Sequence, residues 1–278
     1  MMNRNILTKK TGVTLIELLI ALVISSILVA ALYRTFIDQQ KTHTVQDQVA
    51  DMQQNVRVGI DQMTREVRMA GYGDNILAIF GNINGFTNIF TPANNANNIG
   101  NNDDKITIII AVEVAKLTET VAQGSTSIKV SNAGDFNSGA QKYLSLNGEN
   151  NYLVQNVLSN TITLATPLLE GHLIDEPVFL VKAVTYKLML DTTNIPVLVR
   201  NDNTGNGDQI VAENIEDLQF RYTLADGSVT DSPTNPEDIR MVSANVKART
   251  KMADTQLNSD GYRRRELTSV IKVRNLGL

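Results

Sequence analysis

From Val13 to Leu32 the chain is apolar at almost every position, and Glu17 is the one charge in the run. These twenty residues form about 30 Å of helix at ~1.5 Å per residue, the thickness of a bilayer's hydrocarbon core. Beyond them the pattern changes from uniform to periodic. Val45, Val49, Met52, Val56, Ile60, Met63, Val67 and Ala70 recur at spacings of three and four, one apolar stripe among Gln, Asp and Arg. No proline interrupts Val13 to Met69, so the pattern predicts one helix of about 58 residues, near 87 Å long at ~1.5 Å per residue. Its first third is apolar all round and the remainder is amphipathic. Gly71, in Met69-Ala70-Gly71-Tyr72-Gly73, is placed to end it as a left-handed C-cap.

Residues 81–104 carry nine Asn with Gly and Thr, a composition that predicts a surface excursion of turns. Strand patterns follow. Ile106 to Val114 is β-branched and apolar on both faces, as a buried central strand requires. Short strands are expected at Ser127–Val130, Tyr143–Leu146, Tyr152–Val157, Thr161–Leu164 and Val178–Lys182, separated by Gly, Asn, Asp and Pro. Longer alternating strands are expected at Val184–Leu190, Pro196–Arg200, Leu218–Tyr222, Ile239–Ala248 and Leu267–Val273. The class is α+β, a long N-terminal helix whose stripe is covered by an antiparallel β-rich head. The expected organisation is a leader (1–12), an apolar span (13–32), its amphipathic continuation (33–70), an Asn-rich loop with a first head strand (71–117), a β-rich insertion (118–182) and a C-terminal sheet (183–278). The insertion resembles small β-modules of surface and fibre proteins at Ala133-Gly134-Asp135-Phe136 and Thr161-Ile162-Thr163-Leu164; an unrelated β insertion fits these residues equally well.

Charge gives the apolar run a direction. Arg4, Lys9 and Lys10 precede it with no acidic residue among the first twelve, a bias that holds the N-terminus in the cytoplasm and sends the head outward. Glu17 then needs a partner, because a carboxylate inside an apolar helix costs roughly 2.5 to 3.5 kcal/mol on insertion scales. Lys9-Lys10-Thr11-Gly12 followed by Val13-Thr14-Leu15-Ile16-Glu17 resembles the class III signal of type IV prepilins. The resemblance implies cleavage between Gly12 and Val13 by a prepilin peptidase and methylation of Val13. It also implies that Glu17 faces the N-terminal amine of a neighbouring subunit during assembly. Val13 stands where the family usually has Phe, and Arg34 stands where many members have a helix-kinking Pro. Two other readings of the segment are an uncleaved signal anchor and a secretory signal removed after Ala31.

Met63 to Gly73, Ile215 to Tyr222, Gly261 to Arg265 and Val273-Arg274-Asn275 resemble the PilW-like branch of minor pilins. The implied partners are the prepilin peptidase, other major and minor pilins, the inner membrane and the pilus assembly machinery. The implied location is a single-pass inner-membrane protein that then joins a pilus or pseudopilus. A J-type pseudopilin of a type II secretion system shares these features, and a signal-anchored surface adhesin is the alternative of another class.

The absence of cysteine excludes disulfides and thiol chemistry. The net charge of −4 falls to −7 without the three cations of the leader, which argues against nucleic acid as a partner. His43 and His172 are the only histidines, and no Gly-x-Ser-x-Gly elbow or Gly-rich phosphate loop accompanies them, so neither enzymatic activity nor a cofactor is expected. Asp202, Thr204, Asn206, Gly207, Asp208 and Glu213 match positions of a twelve-residue calcium loop, but the strands around them suit a hairpin turn at least as well. Arg263, Arg264 and Arg265, with Lys272 and Arg274, read as a solvated strand end rather than a DNA-binding patch.

Overall fold

The computed structural model describes residues 12–71, 82–96, 98–100, 102–136, 142–148, 150–254, 257–258 and 260–273. Residues 1–11 of the leader, Tyr72 and Gly73 after the helix, and Arg274 and Asn275 therefore lie outside the described residues. The chain divides into two compact units, one up to Val49 and one from Ala50 onward. A single helix, α1 (Leu15–Arg68, 54 residues), passes through that division.

In the first unit α1 is bare: residues 15–36 are exposed around its whole circumference. In the second it is amphipathic and buries Met52, Val56, Gly59, Ile60, Met63 and Val67, the expected stripe with Gly59 added to it, whereas Val45 and Val49 at the start of that stripe are only half-buried. A Cβ on Gly59 would stand 2.9 Å from Leu198 Cδ2 and 3.6 Å from Ala212 Cβ, so this glycine lets the helix approach the sheet closely. The end of α1 differs from expectation. Met69 and Ala70 donate to the carbonyls of Glu66 (3.0 Å) and Val67 (3.2 Å), tightening the last turn. Gly71 does adopt a left-handed φ of 66°, but its N–H donates to Ile109 O at 3.2 Å. It steers the chain onto the sheet instead of capping the helix.

Among the described residues the head contains thirteen strands, all paired antiparallel: β1 (Phe90–Ala93), β2 (Lys105–Lys116), β3 (Ser127–Lys129), β4 (Tyr143–Leu146), β5 (Asn150–Leu158), β6 (Thr161–Leu164), β7 (Pro177–Leu190), β8 (Pro196–Asn201), β9 (Gln209–Glu213), β10 (Ile215–Leu224), β11 (Val229–Thr230), β12 (Ile239–Arg249) and β13 (Arg264–Lys272). A nine-stranded sheet runs β1-β2-β7-β4-β5-β6-β3, with β8 and β9 branching from β7. A second sheet runs β11-β10-β12-β13.

Strand β7 organises the larger sheet. One of its edges pairs with β2, while the other is shared, Val178–Val181 with β4 and Thr185–Leu190 with β8. The two strands expected at Val178–Lys182 and Val184–Leu190 are thus one, and the expected 182/183 boundary falls inside it. The stretch feeding β3–β6 still has a core of its own, with Phe136, Leu144, Tyr152, Ile162 and Leu164 packed together with Val178 and Leu180 of β7.

The Asn-rich segment is a correction. It contains β1, and Ile83, Ile89 and Phe90 are buried. Asp103 accepts from the amides of Asn98 (3.2 Å) and Ile99 (3.1 Å), and Asp104 accepts from those of Asn95 (2.9 Å) and Phe220 (2.7 Å). Its asparagines serve backbone geometry: Asn84, Asn95 and Asn102 have positive φ, which Asn tolerates better than most residues. Strands β9 and β11 were not anticipated.

Candidate functional site

The N-terminus of α1 is built from four residues. Gly12, Val13 and Thr14 are non-helical and exposed, and among the described residues nothing lies within 4 Å of where a Gly12 Cβ would be. Thr14 is the N-cap: its carbonyl accepts the first helical bond from Leu18 N–H at 3.2 Å. Its amide and its hydroxyl both donate to Glu17 Oε2, at 2.8 and 2.9 Å, and its Oγ1 lies 3.3 Å from the Glu17 amide that donates to it. This reciprocal pair is a capping box, Thr-x-x-Glu, in which each side chain satisfies an orphan donor of the other residue.

The capping box changes the reading of Glu17. The sequence argument gave this carboxylate a partner on another subunit, whereas the folded chain already supplies one. Among the described residues only Oε2 is used, so Oε1 remains able to accept from a cation while the cap is intact. A carboxylate in the first turn also meets the positive end of the helix dipole. The signal for Thr14, a Thr three residues before a Glu at the start of an apolar run, was present in the sequence and was passed over.

Downstream of Glu17, α1 carries the one helix segment among the described residues that is long and apolar enough to cross a membrane, and none of that segment is buried. Ser26 Oγ returns its hydrogen bond to Val23 O at 2.7 Å, so even this polar side chain is satisfied within the helix. Residues 7–33 match the prokaryotic N-terminal methylation motif. The match spans the Gly12–Val13 junction, the capping box and the apolar run, and it stops short of the head. No curated protein and no solved structure matches the chain. The chain thus carries the processing and methylation motif typical of pilin-like proteins, joined to a membrane-length helix and an antiparallel β-rich head.

The calcium candidates do not converge. In the β8–β9 hairpin Arg200 pairs with Gln209 and Val197 with Glu213, so Glu213 lies about 13 Å down the hairpin from its turn at ~3.3 Å per residue. Asp208 is held by Lys187 Nζ at 3.0 Å and by Asn201 Nδ2 at 2.8 Å. Asp202 Oδ1 accepts from the Thr204 hydroxyl at 2.6 Å and amide at 3.2 Å. Burial opposes ionisation of Asp202, but the Thr204 donors outweigh it and hold the carboxyl below its usual range. Asn206 Nδ2 donates to Thr204 Oγ1, and Gly207 turns the chain with a φ of 80°. The residues build a turn. Among the described residues no group of three or more His, Asp or Glu is arranged to hold a metal ion.

Other candidates are accounted for by their contacts. His43 is exposed, with Nδ1 2.9 Å from Asp47 Oδ2 one helical turn away. His172 is buried between strands, its Nδ1 2.9 Å from Glu176 Oε2 and its Nε2 without a partner among the described residues. Arg263 bonds Asp254 at 2.8 Å, Arg264 bonds Glu216 at 2.6 Å as well as Asp260, and Arg249 stacks 4.4 Å over the Tyr262 ring.

A buried ion pair, invisible in the sequence, ties the second half of α1 to the larger sheet. Arg200 Nε–H donates to both oxygens of Glu66, at 2.9 and 3.1 Å, and Tyr186 donates its hydroxyl to Oε2 at 2.7 Å. Burial, with the Glu66 charge adding to it, pushes the Tyr186 phenol far above its ordinary range, so it stays a donor.

Proposed function

We propose that the chain is a minor pilin of the PilW kind, a structural subunit and not an enzyme, which acts in the assembly, priming or tip decoration of a type IV pilus. The methylation motif laid over an exposed capping box and a bare apolar helix carries this reading. Cleavage after Gly12 leaves Val13 as a positively charged N-terminus at the mouth of the span. While the subunit waits in the inner membrane, the Thr14 hydroxyl and amide hold Glu17 and offset the cost of its charge in an apolar setting. In a filament, Oε1 of Glu17 accepts from the amine of the neighbouring subunit, and the pairing sets the axial register between the two helices. The head, held outside the membrane, then occupies the filament surface or tip.

Glu17→Gln and Glu17→Ala separate capping from charge. Gln at this position keeps the capping box, and Ala destroys it. Both variants are expected to remain in the membrane fraction, and both are expected to be depleted from sheared filaments, because each has lost the charge that pairs with an amine. Recovery of Glu17→Gln in filaments at the wild-type level would show that capping is the whole role of this residue and would remove the amine pairing from the account.

A further inference from the structure

Strand β13 closes one side of the smaller sheet, and among the described residues only β12 pairs with it. It pairs over nine consecutive residues with no register shift, from Arg249↔Arg264 to Met241↔Lys272. The direction of its free hydrogen-bonding groups follows from its ends. Val273 N–H donates to Arg240 O at 3.1 Å, and Thr250 N–H donates to Arg263 O at 2.9 Å, so odd-numbered residues address β12. In an antiparallel ladder the direction alternates. The N–H and C=O groups of Arg264, Glu266, Thr268, Val270 and Lys272 therefore point away from the sheet.

Exposed edges of this length are usually blunted by proline, a bulge or shortness. The other edge of this sheet, β11, is two residues long; in the larger sheet β3 has three and β1 has four with Pro92 among them. Strand β13 is neither short nor bulged and holds no proline, and the charges that also protect edges are confined to its two ends. Its centre, Leu267 to Ile271, is uncharged, and Val270 is 63% exposed and Leu267 38%. Charges flank that centre, Arg264, Arg265 and Glu266 before it and Lys272 after it. Arg264 is already held by Glu216 and Asp260, while Arg265 and Lys272 are exposed and have no ion pair among the described residues.

We propose that β13 is a docking edge that adds an extended strand of a partner protein, one whose apolar, β-branched centre is flanked by carboxylates. Backbone bonds to the outward groups of Glu266, Thr268 and Val270 hold such a strand, and carboxylates opposite Arg265 and Lys272 fix its register. A second copy of β13 laid antiparallel in full overlap sets Lys272 against Arg264, and the next register that keeps outward even-numbered residues facing each other sets Lys272 against Glu266 but puts Val273 opposite Arg265, a cation that the acidic-ended strand of another protein satisfies. The docking edge is independent of the role proposed for Glu17.

Amide hydrogen exchange on the full chain in detergent micelles tests it, with an end-capped synthetic peptide Asp-Val-Thr-Val-Thr-Val-Thr-Asp and its counterpart carrying Lys at both ends. The acidic peptide is expected to slow exchange at Glu266, Thr268 and Val270 several-fold, and the basic one to leave it unchanged. Thr268→Pro removes one outward N–H without touching the β12 ladder, and is expected to abolish the protection while β12 amides keep theirs. Arg265→Glu, which leaves the backbone donors in place, is expected to weaken protection by the acidic peptide. Equal protection by both peptides, no protection at millimolar peptide, or protection that rises with protein concentration alone would overturn the proposal, the last by showing a second copy on the edge.

Discussion

The two halves of α1 are the same secondary structure placed in opposite surroundings. Leu15, Ile24 and Leu32 are 80%, 60% and 62% exposed, whereas Met63 and Val67 are 0% and 1% exposed. In the second half the head's own sheets cover one stripe. In the first half residues 15–36 are all exposed among the described residues, and such a surface in water would be an aggregation hazard. Each half also carries one telling glutamate. Glu66 is closed, with both oxygens occupied by Arg200 and one also by Tyr186. Glu17 is half open, held by Thr14 through a single oxygen. The difference separates a carboxylate that fixes a fold from one left able to meet another molecule.

The largest effect is expected at the closed glutamate. Arg200→Ala leaves Glu66 buried without its counter-charge and should destabilise the head by about 3–5 kcal/mol. Denaturant unfolding of the full chain in detergent measures this, and a loss below ~1 kcal/mol would mean that the pair is not holding helix to sheet. Next comes a matched pair of truncations along one helix. Met63→Ala should cost about 2–5 kcal/mol of head stability. Ile24→Ala should leave the head's melting within ~0.5 kcal/mol of wild type, and comparable losses at both sites would erase the contrast between the halves. The smallest effect is none at all: millimolar calcium against chelator should not move the melting temperature, since Glu213 lies far from the turn that holds Asp202 and Asp208. A rise of several degrees abolished by Asp202→Ala would reverse that reading.

What could be read from the sequence depended on distance along the chain. The helix, its two regimes and the stripe from Met52 to Val67 were legible because periodicity is local. So was the Thr14–Glu17 cap, although its three-residue spacing was not used. The Glu66–Arg200 pair was not legible, since 134 residues separate its members and only the folded sheet brings them together. Strand β7 read as two strands because the expected domain boundary was drawn after Lys182, which interrupts the apolar pattern but lies inside one continuous strand. The strand expected at Leu267–Val273 does alternate, with Ser269 half-buried, Ile271 and Val273 buried and Thr268, Val270 and Lys272 exposed, whereas the residues of β13 before it, Arg264 to Glu266, are all exposed. The calcium spacing misled because a linear spacing says nothing about whether the chain returns as a turn or runs on as a strand.

The central claim is that this N-terminus is processed at an exposed junction to expose an amine beside Glu17. Mass spectrometry of the N-terminal peptide from the membrane fraction of cells containing the prepilin peptidase tests it most directly. The account predicts a mature chain that begins at Val13 and carries one N-methyl group, and a chain that begins at Gly12 or earlier when the peptidase is absent. A mature protein that begins at Met1, or at Leu32 after removal of the apolar run, would contradict it.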